Sequence, residues 1–199
     1  PATARSFIIV TPDGERTMNT YLGACQGLGV ADVDAKAVEN ADIIYLEGYL
    51  WDPPAAKDAF RKASEIAHKA GGEMSMTLSD SFCVGRYREE FLELMRSGTV
   101  DIVFANEHEL KSLYQAAAFE DALAALRQEN ILAVVTRSEK GALAVTPEGV
   151  IEEPVFPIER VVDATGAGDL FAAGFLFGLT SGREVRDSLR LGALAAAEI

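Results

Sequence analysis

Val161-Val162-Asp163-Ala164-Thr165-Gly166-Ala167-Gly168-Asp169-Leu170-Phe171-Ala172-Ala173-Gly174-Phe175-Leu176-Phe177-Gly178-Leu179 is the stretch from which the fold is read. Its two valines end a short strand. Gly166 and Gly168 then permit a backbone path closed to other residues, and the apolar run from Leu170 has the character of a buried helix. Unpaired NH groups from Gly166 to Asp169 would converge at that helix's N-terminus, where bare donors and the macrodipole both favour an anion. Asp169 puts a carboxylate where an anion should bind. That arrangement is useful if the carboxylate accepts a proton from an attacking hydroxyl while the amides hold a phosphoryl group. Two other phosphate-binding motifs fail to match: Phe171 stands where a dinucleotide fingerprint needs its third glycine, and the Gly-Lys-Ser/Thr of a Walker loop is absent.

The pattern from Asp163 to Asp169, with the Phe-Ala-Ala-Gly-Phe helix behind it, resembles the signature of the ribokinase, or PfkB, family of carbohydrate and nucleoside kinases. Ala164 stands where the family has Thr. The resemblance implies a general base at Asp169 and an anion hole from the backbone of Gly166, Ala167 and Gly168, with Thr165 beside the nucleotide. It also implies a loop near Asp163 able to hold a monovalent cation such as K+. The fold implied is the three-layer α/β/α arrangement with a mainly parallel sheet, plus a β-hairpin that forms part of a lid.

Working outward, strands alternate with helical patterns along most of the chain, which by itself argues an α/β fold with a mainly parallel sheet. Arg5 to Val10 and Arg16 to Leu22 flank the turn-former Pro12-Asp13-Gly14 and predict a hairpin, with Thr17, Asn19 and Tyr21 on one face. A solvated face would explain these three equally well. The stretch from Gly14 to Tyr21 resembles the lid of bacterial adenosine kinase-like members, which makes Asn19 and Tyr21 substrate-side candidates. Residues 1–24 are assigned to the hairpin and 25–199 to the nucleotide-binding and catalytic domain.

A buried strand is expected over Asp42 to Leu46, ending at Glu47-Gly48-Tyr49, and ligands of open α/β sheets gather at such carboxyl ends. Asp52 with Pro53 is expected to cap the next helix, which Gly71 stops. A helix is expected over Arg86 to Arg96 and a strand over Val100 to Ala105. Asn106-Glu107-His108-Glu109 follows that strand. Helix capping alone accounts for the Asn-x-x-Glu spacing. The same residues resemble the family's magnesium and phosphate motif, which makes Glu109 and Asn106 candidates for hydrated Mg²⁺ and Asn106 a nucleotide contact.

Phe119 to Gln128 reads as a helix with Asn130 as a left-handed stop, and Ile131 to Val135 as a strand. Thr136-Arg137-Ser138-Glu139-Lys140-Gly141 is open to two readings, a plain hairpin turn or the family's Thr-x-Gly-x-x-Gly nucleotide loop, with Ser138 replacing the first glycine. Arg137 is either a phosphate contact or a surface charge. Short strands are expected over Val150 to Pro157 and at Val161-Val162. The last helix, from Arg183, carries an apolar seam of Val185, Leu189, Ala193 and Ala196 and a solvated face of Arg183, Arg186 and Arg190.

Composition bounds the function. Of 199 residues, 49% are apolar and 25% charged, the profile of a folded globular chain. A formal net charge of -13 argues against nucleic acid or an anionic membrane as partner. The two cysteines and two histidines are too few and too scattered for a disulfide framework, a zinc site or a triad. The run from Leu170 to Leu179 is too short to span a bilayer, which needs about 20 residues. Pro1 opens without a cap and the final helix has no stop signal, so the chain reads as a piece of a longer one, from the cytoplasm. The function implied is ATP-dependent phosphorylation of a small molecule, adenosine first and a sugar such as ribose, fructose or a keto-deoxy sugar acid second. A nucleotide-binding module without catalysis is the reading from another class. A homodimer through lid strands is compatible with an exposed hairpin edge.

Overall fold

The computed structural model describes residues 1–12, 16–158, 161 and 163–198. Two compact units emerge. One comprises Pro1–Gln26, Ser138–Ala142 and Glu152–Ile199, and the other Gly27–Arg137 and Leu143–Ile151.

In the first unit, β1 (Arg5–Val10) pairs antiparallel with β2 (Arg16–Tyr21), with Phe7 opposite Asn19 and Ile9 opposite Thr17. Asp13 and Gly14 of the expected turn lie outside the described residues. Every strand residue of this hairpin is exposed, Phe7 at 74% and Ile9 at 63%.

The second unit is built on parallel strands. β3 (Ile43–Glu47), β4 (Glu73–Thr77), β5 (Ile102–Asn106) and β6 (Leu132–Thr136) run parallel in that order, and β7 (Ala142–Thr146) and β8 (Gly149–Glu153) complete the six-stranded sheet. Residues 102–105 of β5 are all buried, as are 133–135 of β6. A strand covered on both faces needs such a continuous apolar run. By contrast, β3 stands at the edge of the sheet and is only half-buried, where sequence predicts full burial.

Helices α1 (Ala35–Glu39), α2 (Pro54–Ala70), α3 (Ser81–Arg96), α4 (Glu107–Tyr114) and α5 (Phe119–Leu126) connect the strands. The larger core gathers Trp51, Phe60 and Phe91 with Met76, Val103, Val135 and Leu143. Four local expectations are corrected. Pro53, not Asp52, occupies the start of α2, because the Asp52 carboxylate is drawn into a forked ion pair with Arg86 at 3.0 to 3.2 Å. Helix α3 begins at Ser81 rather than Arg86, because the Asp80 carboxylate accepts the Cys83 amide at 2.8 Å, and the segment before Tyr87 joins across a kink. Asn130 does not adopt a left-handed conformation, and α5 ends at Arg127 in ordinary helical geometry. Strand β8 stops at Glu153, since prolines 154 and 157 withhold ladder donors; Val161 is not in a strand, and Val162 lies outside the described residues.

In the first unit, α6 (Ala167–Thr180) and α7 (Val185–Ala197) pack as a pair. Glycines set their closeness. A Cβ on Gly178 would lie 2.5 Å from the Ser188 hydroxyl and 2.8 Å from its Cα, and one on Gly174 would lie 2.6 Å from the Leu191 carbonyl oxygen. The fully buried residues of α7 are Ser188, Leu189 and Gly192, and the expected seam residues Val185, Ala193 and Ala196 are half-buried. Helix α6 is apolar all round yet leaves Phe177 at 64% exposure. Among the described residues, no helix is long and apolar enough to cross a membrane. Gly178→Val should separate the pair and cost about 1 to 3 kcal/mol of stability, read as a lower midpoint in urea unfolding.

Candidate functional site

The turn before α6 follows from its residues. The Asp163 carboxylate accepts the Thr165 amide at 2.8 Å, an Asx turn that points the chain toward the helix. Its contact with Thr165 holds the Asp163 carboxyl below the usual carboxylate range. Gly166 then takes φ 85, a left-handed conformation, at the helix N-cap. Gly168 does not, and a Cβ there would meet nothing within 4 Å, so its backbone asks for no glycine.

The amides of this turn are not all bare. Ala167 N donates to the Ala164 carbonyl at 3.3 Å, whereas those of Gly166, Gly168 and Asp169 have no acceptor among the described residues. Three such donors at a helix N-terminus are able to receive an anion, because partial positive charge and unmet hydrogen bonds coincide there. Asp169 stands in the first turn of α6 with its side chain exposed. Arg16, on β2, donates to the Ala164 carbonyl at 3.1 Å and so holds a fixed cation beside this turn. Sequence spacing does not single it out, because its partner lies 148 positions away. On the same strand, Asn19 and Tyr21 are exposed and alternate on one face, two residues apart.

The loop from Ser138 to Lys140 is a single 3-10 turn closed by Gly141 N donating to the Ser138 carbonyl at 3.0 Å. Ser138 adopts φ 51 and Gly141 φ 84. Gly141 is required, since a Cβ would fall 2.2 Å from the Glu153 carbonyl oxygen. For Ser138 the left-handed backbone costs about 1 to 2 kcal/mol relative to glycine. Glu153 is itself held by Arg190 at 2.8 Å and Arg186 at 3.5 Å, so two arginines of the expected solvated stripe are structural. Beside them opens a groove of about 590 Å³ lined by Val155, Phe156, Phe177 and Leu194, with Arg183 and Arg190 among its walls.

The remaining candidates stand in the second unit at the carboxyl ends of adjacent strands, where Asn106 pairs in register with Thr136. Asn106 is the N-cap of α4. Its side chain accepts the Glu109 amide at 2.9 Å, while Glu109 accepts Asn106 N at 3.0 Å and Asn106 Nδ2 at 2.7 Å. The capping reading therefore holds, and it locks the carboxylate in place. Glu109 is 5% exposed, and burial pushes its carboxyl up to about 7; the Asn106 amide pulls the other way, and Asp80 and Glu47 add to the rise. Among the described residues no cluster of three or more ligating side chains is present. The donor set suits a Mg²⁺ that keeps most of its water and is bound chiefly by phosphate, and does not suit an all-protein cage. Arg137 is neither a surface charge nor a bare cation, since it pairs with Glu107 at 3.1 Å and lies 3.8 Å over the Phe119 ring.

At the ends of β3 and β4, the Ser79 hydroxyl donates to Glu47 at 3.1 Å and accepts Tyr49 N at 3.3 Å. Phe82, in the first turn of α3, is 83% exposed and Tyr49 39%. An Asp80-Ser81 cap signal precedes Phe82 in the sequence and would have located it.

Residues 2–199 match the model of the pfkB family carbohydrate kinases. The chain is 59% identical to the adenosine kinase of Sinorhizobium meliloti, covering 98% of this chain and 60% of that one, with a TM-score of 0.95. A protein of Rhizobium etli described as a probable sugar kinase is 58% identical, with coverage of 98% and 59% and the same TM-score of 0.95. The cytidine kinase of Thermococcus kodakarensis is 40% identical over 122 residues, 57% of this chain and 43% of its own. The chain thus spans about two-fifths to three-fifths of the length of these relatives, and the ribokinase-like three-layer fold is shared with the solved ones.

Because the folded state holds the Glu109 proton more tightly than the unfolded chain, Glu109 costs nothing below about pH 4.5 and progressively more as the pH rises toward 7. Glu109→Gln should therefore gain on wild type across that window, by on the order of 3 kcal/mol, in urea unfolding measured against pH.

Proposed function

The chain belongs to the PfkB family of carbohydrate kinases, and we propose that the protein transfers the γ-phosphoryl group of ATP to a primary hydroxyl of a nucleoside, adenosine first, in the cytoplasm. The observation that carries the proposal is the turn before α6, where three acceptor-free amides at Gly166, Gly168 and Asp169 meet the exposed Asp169 carboxylate one turn into the helix.

Chemically, the hydroxyl oxygen attacks phosphorus, its proton passes to Asp169, and the bond from phosphorus to the bridging oxygen of ADP breaks. The turn amides and Arg16 face the negative charge that accumulates on the transferring group. Asn106 and Glu109 would organise the hydrated Mg²⁺ that accompanies the nucleotide, and that ion would neutralise phosphate charge a chain of net charge -13 otherwise repels. Thr136, Arg137, Ser138, Gly141 and Thr165 are assigned to the nucleotide, and the loop at Asp163 to a K+ ion. The hairpin is read as part of a lid, with Asn19 and Tyr21 toward the acceptor, and its exposed edges as a contact for a second copy. Exposed Tyr49 and Phe82, at the ends of neighbouring strands, suit the flat base of a nucleoside better than a bare sugar. The identity with the rhizobial adenosine kinase supports the same choice.

The test is ADP formation from Mg·ATP with adenosine, cytidine, ribose and fructose in turn. Adenosine should give the highest kcat/KM. Asp169→Asn should lower kcat by at least about a hundredfold with the fold retained. Arg16→Ala should lower it by roughly 10- to 100-fold. Turnover of Asp169→Asn at the wild-type rate would remove the base from the scheme, and ATP binding without transfer to any acceptor would turn the reading to a binding module.

A further inference from the structure

Leu78-Ser79-Asp80 carries the chain from β4 to α3 in a turn so tight that the Asp80 amide donates back to the Leu78 carbonyl at 2.9 Å. At its centre Ser79 takes φ 67, the rare and strained form of such a turn. Glycine would adopt that backbone freely. Serine adds a half-buried hydroxyl, which donates to the Glu47 carboxylate at 3.1 Å and accepts the Tyr49 amide at 3.3 Å. A strained backbone persists only where its surroundings over-determine it, and strain of this kind gathers at ligand clamps.

The surroundings are the loop after β3, and the two loops are fastened to each other. A Cβ on Gly48 would lie 2.5 Å from the Thr77 carbonyl oxygen, so the backbones pack directly. Cys83 Sγ donates to the Gly48 carbonyl at 3.2 Å, and Arg86 forks onto Asp52. These contacts hold the loops together, whereas the Ser79 hydroxyl reaches the Tyr49 amide itself. The turn at Ser79 thus links two exposed aromatic residues: Phe82 follows it in the first turn of α3, and Tyr49 is bonded to it across the loops. We propose that Ser79 is a positioning residue for nucleoside recognition, whose hydroxyl fixes Tyr49 relative to Phe82 and so fixes the surface that a flat base would meet. The inference rests on the nucleoside reading above and adds to it a residue that itself touches no substrate.

Calorimetric titration of adenosine and of ATP into the intact protein tests it, with wild type, Ser79→Ala, Ser79→Gly, Tyr49→Ala and the double variant Ser79→Ala with Tyr49→Ala. Ser79→Ala and Ser79→Gly should each bind adenosine roughly tenfold more weakly. ATP affinity and kcat should stay within about twofold of wild type. Ser79→Gly should unfold at a higher temperature than Ser79→Ala, because glycine takes the turn without strain. Equal loss of adenosine affinity in two variants of unequal stability assigns the effect to the hydroxyl. Once Tyr49 is alanine, Ser79→Ala should weaken adenosine by less than about twofold more, since a residue that acts through another then has nothing left to position. Unchanged adenosine affinity in both Ser79 variants would overturn the inference and leave the kinase reading intact. Wild-type affinity in Ser79→Gly, ATP weakened as much as adenosine, or full additivity in the double variant would overturn it in the same way. Wild-type protein that binds ATP and phosphorylates only sugars would overturn the nucleoside choice, and the inference with it.

Discussion

Two-sided burial of β5 and β6 is the constraint from which the rest follows. A parallel strand with apolar residues at every position is stable only when both of its faces are removed from water. Its ends then become the first places where polar groups can be met. Asn106 and Thr136 occupy those ends in register, and the capping box between Asn106 and Glu109 is the local answer to the unpaired amides at the start of α4. The same answer holds a carboxylate, almost wholly buried, at the mouth of the sheet. Capping therefore also fixes this carboxylate, since the bonds that satisfy the helix aim the side chain.

Electrostatics in this chain is local rather than global. A net charge of -13 would repel a nucleotide, yet the turn before α6 presents bare amides, the end of a helix dipole and the Arg16 guanidinium together. Elsewhere several arginines are engaged by carboxylates. Arg186 and Arg190 hold Glu153, and Arg137 is taken up by Glu107 and the Phe119 ring. Holding Glu153 fixes the backbone against which Gly141 packs, and that packing sets the turn that begins at Ser138. Ion pairs of modest worth thus decide a loop conformation.

Much of this was legible in the sequence because the signals are local. The hairpin, the parallel strands, the box at Asn106 and Glu109 and the left-handed Gly166 all follow from residues within a few positions of one another. What could not be read depended on a distant partner. Asp52 has every feature of a helix cap and is diverted by Arg86; α3 starts a turn early because Asp80 caps it; β3 is half-buried because it stands at the sheet edge. The arginine stripe of α7 looked solvated because the carboxylate that engages it lies on another element. Ala167 falls within the anion hole that the motif implies, yet its amide donates to the Ala164 carbonyl because the turn is tight.

By itself, the sequence determined the class of fold, the family and the left-handed turn at Gly166, because periodicity, caps and glycine positions act over one or two turns of chain. Only the tertiary structure decided which charges are available and which are spent. It tied Arg16 to Ala164, engaged Arg190 with Glu153 and lifted the Glu109 carboxyl by burial. The physical reason is that hydrogen-bond satisfaction and desolvation depend on neighbours in space, and those neighbours here lie up to 148 positions apart along the chain.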